Sequence, residues 1–224
     1  MPVSVANSRL IFDALKACDV RVMSALPETW LVHLIRMADD DPDTTLVRLA
    51  KEEEGVGISM GAHLAGVRSA MLMQNHGFLA SVNGIVSGAQ LYRIPLLMLI
   101  SDRGRFGERD PWQTEGGGVT EPVLQALRIS YERLDQPARV APQVRQAITL
   151  AYASLRPVAN RLQLGRDRSH DRHDNRLLDL RVDRRQCVES PHQSSHMRSR
   201  HRSSATGLLA ASASVCALAM RWAT

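Results

Sequence analysis

The chain has 224 residues with 44% hydrophobic and 4% aromatic content, enough for one ordinary domain plus an appendage. Its formal charge of +5 is unevenly spread: residues 1–159 hold 16 Lys+Arg against 17 Asp+Glu, whereas residues 160–224 hold 12 Arg against 6 acids. The body therefore has no basic footprint for a phosphate backbone, and three scattered cysteines (Cys18, Cys187, Cys216) exclude a disulfide framework and a CxxC metal site.

Asn7 or Ser8 caps a first predicted helix, with Leu10, Ile11, Ala14 and Leu15 at helical spacing. VRVMSALP reads as a strand ended by Pro27, and Glu28 to Asp39 as a helix with Trp30, Leu31, Leu34, Ile35 and Ala38 on one face. Asp41-Pro42 breaks it, TLVRLA is the next strand, and KEEEGVGISMGAHLAG (51–66) is a third helix. SAMLMQN is a strand, Phe78 to Arg93 a helix, and PLLMLIS an apolar strand of the kind buried on both faces. A polar, glycine-rich loop covers 102–119; Thr120 caps a short helix to Arg128, and a strand follows at Tyr131 to Leu134. Pro142 to Ser154 is another helix, and RPVA starts one more strand. Strands alternating with helices of this length predict an α/β fold, a parallel sheet with helices on both faces.

Residues 1–159 are assigned to this domain and residues 160–224 to an Arg/Ser-rich tail that has no lysine and no sustained period. Three readings of the tail stay open: a disordered segment, a basic arm for nucleic acid, or text translated out of frame. The last is suggested by RPVA stopping where a buried strand should continue, and it predicts an unfinished strand and an unpaired sheet edge. Neither the N-terminus nor GLLAASASVCALAM, a run of 14 residues, has the make-up of a signal peptide or a membrane span. The expectation is a cytoplasmic protein with no membrane partner and no nucleic-acid partner for its body.

Three consecutive acids open the third helix. Successive helical residues point about 100° apart, so at most one of Glu52, Glu53 and Glu54 faces inward. Acids in a first turn are also favoured by the helix dipole.

In order, the segments KEEEGVGI, AMLMQN-H-G, SVN and PLLMLIS-D-RG-R-F-GE resemble the pyrimidine-binding (PYR) domain of thiamine-diphosphate enzymes. Within that family they are most similar to the sulfopyruvate and phosphonopyruvate decarboxylases. The resemblance covers about residues 5–159 and none of the tail. It implies that an inward glutamate at the start of the small-residue helix exchanges a proton with the cofactor's aminopyrimidine ring. The family pattern lands on Glu53, with Glu54 as the alternative and Glu52 at the edge. An apolar setting of Val56, Ile58 and Met60 is expected to raise the Glu53 pKa by desolvation.

The resemblance also implies cofactor contacts from the turn Gln74-Asn75-His76-Gly77 and from Gln113. Arg103 and Arg105, in the loop after PLLMLIS, are candidates for the anionic head of a small 2-oxo acid substrate. The GDG motif that marks the Mg²⁺-diphosphate domain of this family does not occur in the sequence. The subgroup divides its two domains between alpha and beta chains. The expected arrangement is therefore thiamine diphosphate spanning an interface, with Mg²⁺ held by a beta subunit and no metal ligands here. The implied reaction is decarboxylation of 3-sulfopyruvate to sulfoacetaldehyde. Phosphonopyruvate as substrate, or a truncated product without activity, are the alternatives.

Overall fold

In the computed structural model, residues 3–106 and 108–164 are described. The tail from 165 to 224, with the three readings given above, lies outside them. Ser4 opens the first helix, its Oγ accepting the Asn7 N–H, and α1 runs Val5–Ala17 with Ile11, Phe12 and Leu15 buried. The chain continues as β1 (Val20–Ala25), α2 (Val32–Asp40), β2 (Thr45–Arg48), α3 (Glu52–Leu64), β3 (Arg68–Gln74) and α4 (Asn75–Ala80). A single turn α5 (Val82–Gly84) and a π-helical stretch (Ile85–Gln90) follow, then β4 (Leu96–Ser101), α6 (Thr114–Ala126), β5 (Ser130–Leu134), α7 (Val140–Ser154) and β6 (Pro157–Leu162).

The six strands form one sheet in the order β2-β1-β3-β4-β6-β5, and every neighbouring pair is parallel. Alternation along each strand divides the core in two. Ala70, Leu72, Leu97, Leu99, Val158 and Leu162 pack with residues of α1, α2 and α7. Met71, Met73, Leu96, Met98, Ile100 and Ala159 pack with Val56 of α3, Phe78 of α4, Ile85 and Ala89 of the π stretch and Leu124 of α6. Helices thus cover both faces, as predicted, and β4 is buried at all six positions.

α1 starts at Val5 with Ser4 as its cap, ahead of the expected Asn7 or Ser8, and α2 starts at Val32 rather than Glu28; three other elements differ more. The single helix expected over 78–93 is broken into α4, one turn and a π-helical stretch. The 102–119 loop is shorter than expected, because α6 begins at Thr114 and takes in Gly116, Gly117 and Gly118. Such a run argues against a helix by propensity, but packing demands it. A Cβ at Gly116 would lie 2.6 Å from the His76 ring, and one at Gly117 would run into the Arg103 carbonyl oxygen.

The third difference is at the boundary set at residue 159. β6 continues through Asn160, Arg161 and Leu162, buried at all six positions and paired with β4 on one side and β5 on the other. The strand is paired on both sides and is not a sheet edge. Asn160 and Arg161 disguise it, since polar residues are rare in an interior parallel strand. Arg161 is accommodated by Asp102 and Glu121, whose carboxylates both accept from its guanidinium. Asn160 is fully buried, and neither polar atom of its side chain has a partner.

Candidate active site

In an open parallel sheet, ligands bind beyond the carboxyl ends of the strands, where crossovers leave to opposite faces. Here that point lies between β1, whose chain leaves to α2 on one face, and β3, whose chain leaves to α4 on the other. Glu28, the acids of α3, the turn after β3 and the loop after β4 all gather at this edge.

The three acids of α3 meet three different fates. Glu54 folds back, its carboxylate accepting the backbone N–H of Ala50 at 3.0 Å and of Lys51 at 3.4 Å, which satisfies donors at the helix start. Glu53 lies at the rim: it accepts from Lys51 Nζ at 2.7 Å and from Asn83 Nδ2 at 3.2 Å, and its side chain is 27% exposed. The Lys51 hydrogen bond and then that of Asn83 lower its pKa, so the rise expected from desolvation does not occur in this chain. Glu52 has the spacing of the buried face, three, four and seven residues before Gly55, Val56 and Ser59. Its side chain lies over the turn after β3, where a Cβ on Gly77 would be 2.6 Å from Glu52 Cγ and Oε1. Glu52 thus lies over Gly77, and Glu53 stands beside Lys51, Asn83 and Gly84.

Gln74 ends β3, and Asn75, His76 and Gly77, expected as a turn, form the first turn of α4 instead. Asn75 is fully buried, and its Nδ2 donates to the Arg103 carbonyl at 2.7 Å while its Oδ1 has no partner. The ring of His76 rests on Gly116 of α6, and Gln74 is half-buried at the end of β3. Gln113 is buried with an unpartnered Oε1, and its carbonyl lies against Gly104, whose φ of +74° and lack of a side chain permit that approach. Two orphaned acceptors, Asn75 Oδ1 and Gln113 Oε1, thus sit in the two segments expected to touch a cofactor.

Arg103 and Arg105 are both engaged within the domain. Arg103 is held by Glu108 at 3.1 Å and by Asp110, and its guanidinium stands 5.2 Å over the Trp30 ring. Arg105 pairs with Asp102 at 2.6 Å. The acids that neutralise them follow or precede by a few residues, so the loop folds back on itself rather than offering free cations.

Glu28 escaped the sequence reading as more than a helix start. Its carboxylate accepts the N–H groups of Trp30 and Leu31 at 3.0 and 2.8 Å and the Ser101 hydroxyl at 3.3 Å. Burial pushes its pKa up, against those hydrogen bonds. It ties the ends of β1 and β4 together, which a Pro-Glu pair at a strand end does not reveal by itself. Among the described residues no group of three or more His, Cys, Asp or Glu is arranged to hold a metal ion, and no helix is long and apolar enough to cross a membrane.

Residues 6–121 match the family of thiamine pyrophosphate enzymes through its N-terminal TPP binding domain. The chain belongs to this family. The sulfopyruvate decarboxylase subunit alpha of Methanothermobacter thermautotrophicus is 32% identical over 157 residues, which is 70% of this chain and 95% of that protein. The phosphonopyruvate decarboxylase of Streptomyces viridochromogenes is 27% identical over 138 residues, 61% of this chain but only 33% of that longer protein. A solved 2-oxoglutarate:ferredoxin oxidoreductase from Magnetococcus marinus superposes with a TM-score of 0.53 at 16% identity, covering 71% of this chain and 28% of that one. That last likeness is one of fold alone. The parallel sheet described above is thus the scaffold of a thiamine pyrophosphate enzyme domain.

Proposed function

We propose that this chain is the alpha subunit of a thiamine-diphosphate-dependent decarboxylase that converts 3-sulfopyruvate to sulfoacetaldehyde and carbon dioxide. The observation that carries the reading is the Glu52 carboxylate lying over Gly77 at the carboxyl edge of the sheet. The relatives named sulfopyruvate decarboxylase subunit alpha support the substrate and the subunit role. The more distant phosphonopyruvate decarboxylases support the phosphonate analogue as the alternative substrate.

The residues at this edge fit the aminopyrimidine end of thiamine diphosphate. A half-buried carboxylate, Glu52, suits a ring nitrogen that shares a proton, and the orphaned acceptors Asn75 Oδ1 and Gln113 Oε1 suit an exocyclic amine. Gln74, His76 and Gly77 complete the wall; Gly77 leaves the space that the Glu52 side chain fills. Once bound, the cofactor supplies the electron sink for loss of carbon dioxide. What this chain contributes is to hold the proton at Glu52 Oε1 or Oε2, to orient the ring and to exclude water. Glu53 in the same role is the competing assignment; the hydrogen bond from its partner Lys51 lowers its pKa. Arg103 and Arg105 are the candidates for the substrate's anionic head, each with a carboxylate, Asp110 or Asp102, already beside it and further N–H donors to offer.

The diphosphate and its Mg²⁺ are assigned to a beta subunit that completes the site, in keeping with the absence of a GDG motif from this sequence. The substrate is a small anionic 2-oxo acid, and the setting is the cytoplasm, in keeping with three unclustered cysteines. The test is co-expression with a beta-type partner and turnover of 3-sulfopyruvate and 3-phosphonopyruvate by the wild type and by Glu52→Gln and Glu53→Gln. Glu52→Gln is expected to lower kcat by about 10²–10⁴-fold with the complex still assembled, and Glu53→Gln by far less. No turnover of either acid by a well-assembled wild-type complex would end the decarboxylase reading and favour an inactive product.

A further inference from the structure

The sheet has a second edge, at the amino ends of its strands, where the preceding helices also end. Across the neighbouring strands β3, β4, β6 and β5 this edge carries Arg68, Arg93, Arg156 and Arg128 in turn. Arg68 opens β3, and the others stand three, one and two residues before their strands. Neighbouring strands lie about 4.8 Å apart, so the four arginines share roughly 15 Å of edge. Among the described residues no carboxylate pairs with any of them. Arg68 donates to the Cys18 carbonyl and stands 5.2 Å over the Tyr152 ring, both uncharged groups. Elsewhere on the edge the charges are matched, Arg21 by Asp19, and Asp41 and Asp43 by Lys16.

Cations beside helix C-termini are favoured by the helix dipole. That accounts for the sign of the charge and for little else. Arg93, Arg128 and Leu155 hold φ of 54°, 53° and 53°, the left-handed conformation that favours glycine, and Gly66 takes it at the equivalent joint before β3. Exposed side chains thus stand where glycine would be less strained. Apolar groups crowd the same edge: Leu64, at the end of α3, is 79% exposed, and Leu91 and Tyr92, after the π stretch, are 66% and 64% exposed. α3 and the π stretch pack side by side, so these three lie at adjoining helix ends. A dipole attracts none of them. Arginine and tyrosine are enriched where proteins dock, and unmatched cations beside apolar surface complement an acidic partner.

We propose that this amino edge docks an acidic protein segment. Its carboxylates pair with Arg93, Arg156 and Arg128, and its apolar side chains cover Leu64, Leu91 and Tyr92. A nucleic acid would match the charge and leave the leucines bare, and a second copy would add four more unmatched cations. The surface lies at the opposite end of the strands from Glu52 and Gly77, so it stands whether or not the decarboxylase reading holds.

The probes are labelled peptides of alternating Asp and Phe, Asp and Ser, or Lys and Phe, together with a short DNA duplex. Each is titrated into the full-length chain, with fluorescence anisotropy of the label as readout. The Asp/Phe peptide is expected to bind saturably, at least about tenfold more tightly than the other two peptides. Arg93→Gly combined with Arg128→Gly removes two cations where glycine suits the backbone. This double variant is expected to weaken the Asp/Phe peptide by at least about tenfold, with the urea midpoint held and binding of the duplex unchanged. Leu91→Ser is expected to weaken the same peptide by roughly fivefold. No saturable binding of the Asp/Phe peptide, equal affinity for the Asp/Ser peptide, unchanged affinity in the double variant or in Leu91→Ser, or an equal loss of duplex binding in the double variant would each overturn the proposal. So would a concentration-dependent dimer in sedimentation that the double variant abolishes, since a second copy would then be the occupant.

Discussion

Gly77→Ala separates the two candidate acids without removing either. The added Cβ would sit 2.6 Å from Glu52 Cγ and Oε1 and 2.8 Å from Cδ. Ordinary contacts between such atoms lie near 3.5–4.0 Å, so the carboxylate has to retreat by roughly 1 Å. Displacing a catalytic group by that much costs about 10²-fold in rate, or about 2.7 kcal/mol of barrier. Stability should move the other way or not at all. The colliding atoms end a flexible side chain, and alanine in place of glycine inside α4 gains about 0.5–1 kcal/mol in helix propensity. Gly84→Ala is the matched control, because its Cβ would stand 3.1 Å from Glu53 Cγ and 3.6 Å from Oε1. Urea unfolding of the chain and decarboxylation by the assembled complex are measured on both variants. The expected pattern is unchanged stability in both, with activity lost only in Gly77→Ala. Gly77→Ala retaining activity within about threefold of wild type, or Gly84→Ala being the damaged variant, would refute the assignment of Glu52.

Asn160→Leu should stabilise the domain by about 1–3 kcal/mol, because it replaces a fully buried amide with no hydrogen-bond partner by a side chain of similar size; a lower urea midpoint would show that the amide is satisfied after all. Glu108 provides a pH test: the Arg103 hydrogen bond lowers its pKa from 4.5 to about 2, so its contribution is complete above pH 4.5 and is lost as pH falls toward 2. That loss is on the order of 2–3 kcal/mol, and Glu108→Gln should flatten the stability curve across this window in acid unfolding measurements. Glu28 runs the opposite way. Burial raises its pKa, so its contribution is full below the ordinary carboxylate range and fades as pH rises through the raised value, and Glu28→Gln should remove that fading.

The alternation of strands and helices in the sequence carried most of the fold. PLLMLIS announced an interior strand, and β4 is buried throughout. What the sequence hid were features decided by distant partners. The glycines of α6 oppose a helix locally and are required by His76 and Arg103, and Arg161 opposes a strand locally and is matched by Asp102 and Glu121. In the candidate site the segment after β3 was legible, because it follows a strong strand signal. Among the three adjacent acids the family pattern lands on Glu53, whereas helical spacing with Gly55, Val56 and Ser59 puts Glu52 on the side facing Gly77. The fates of Arg103 and Arg105 depend on loop geometry that no periodicity encodes.

The position of β6 bears on how the domain is made. The last strand among the described residues is inserted between two earlier ones, β4 and β5, which have no pairing with each other. Until residues 157–162 emerge, β5 has no neighbour and β4 has one edge bare, so co-translational folding should stall at a four-strand intermediate holding β2, β1, β3 and β4. Any nascent chain arrested short of Pro157 then exposes two adhesive strand edges at once, which makes the arrival of residues 157–162 the step that covers them.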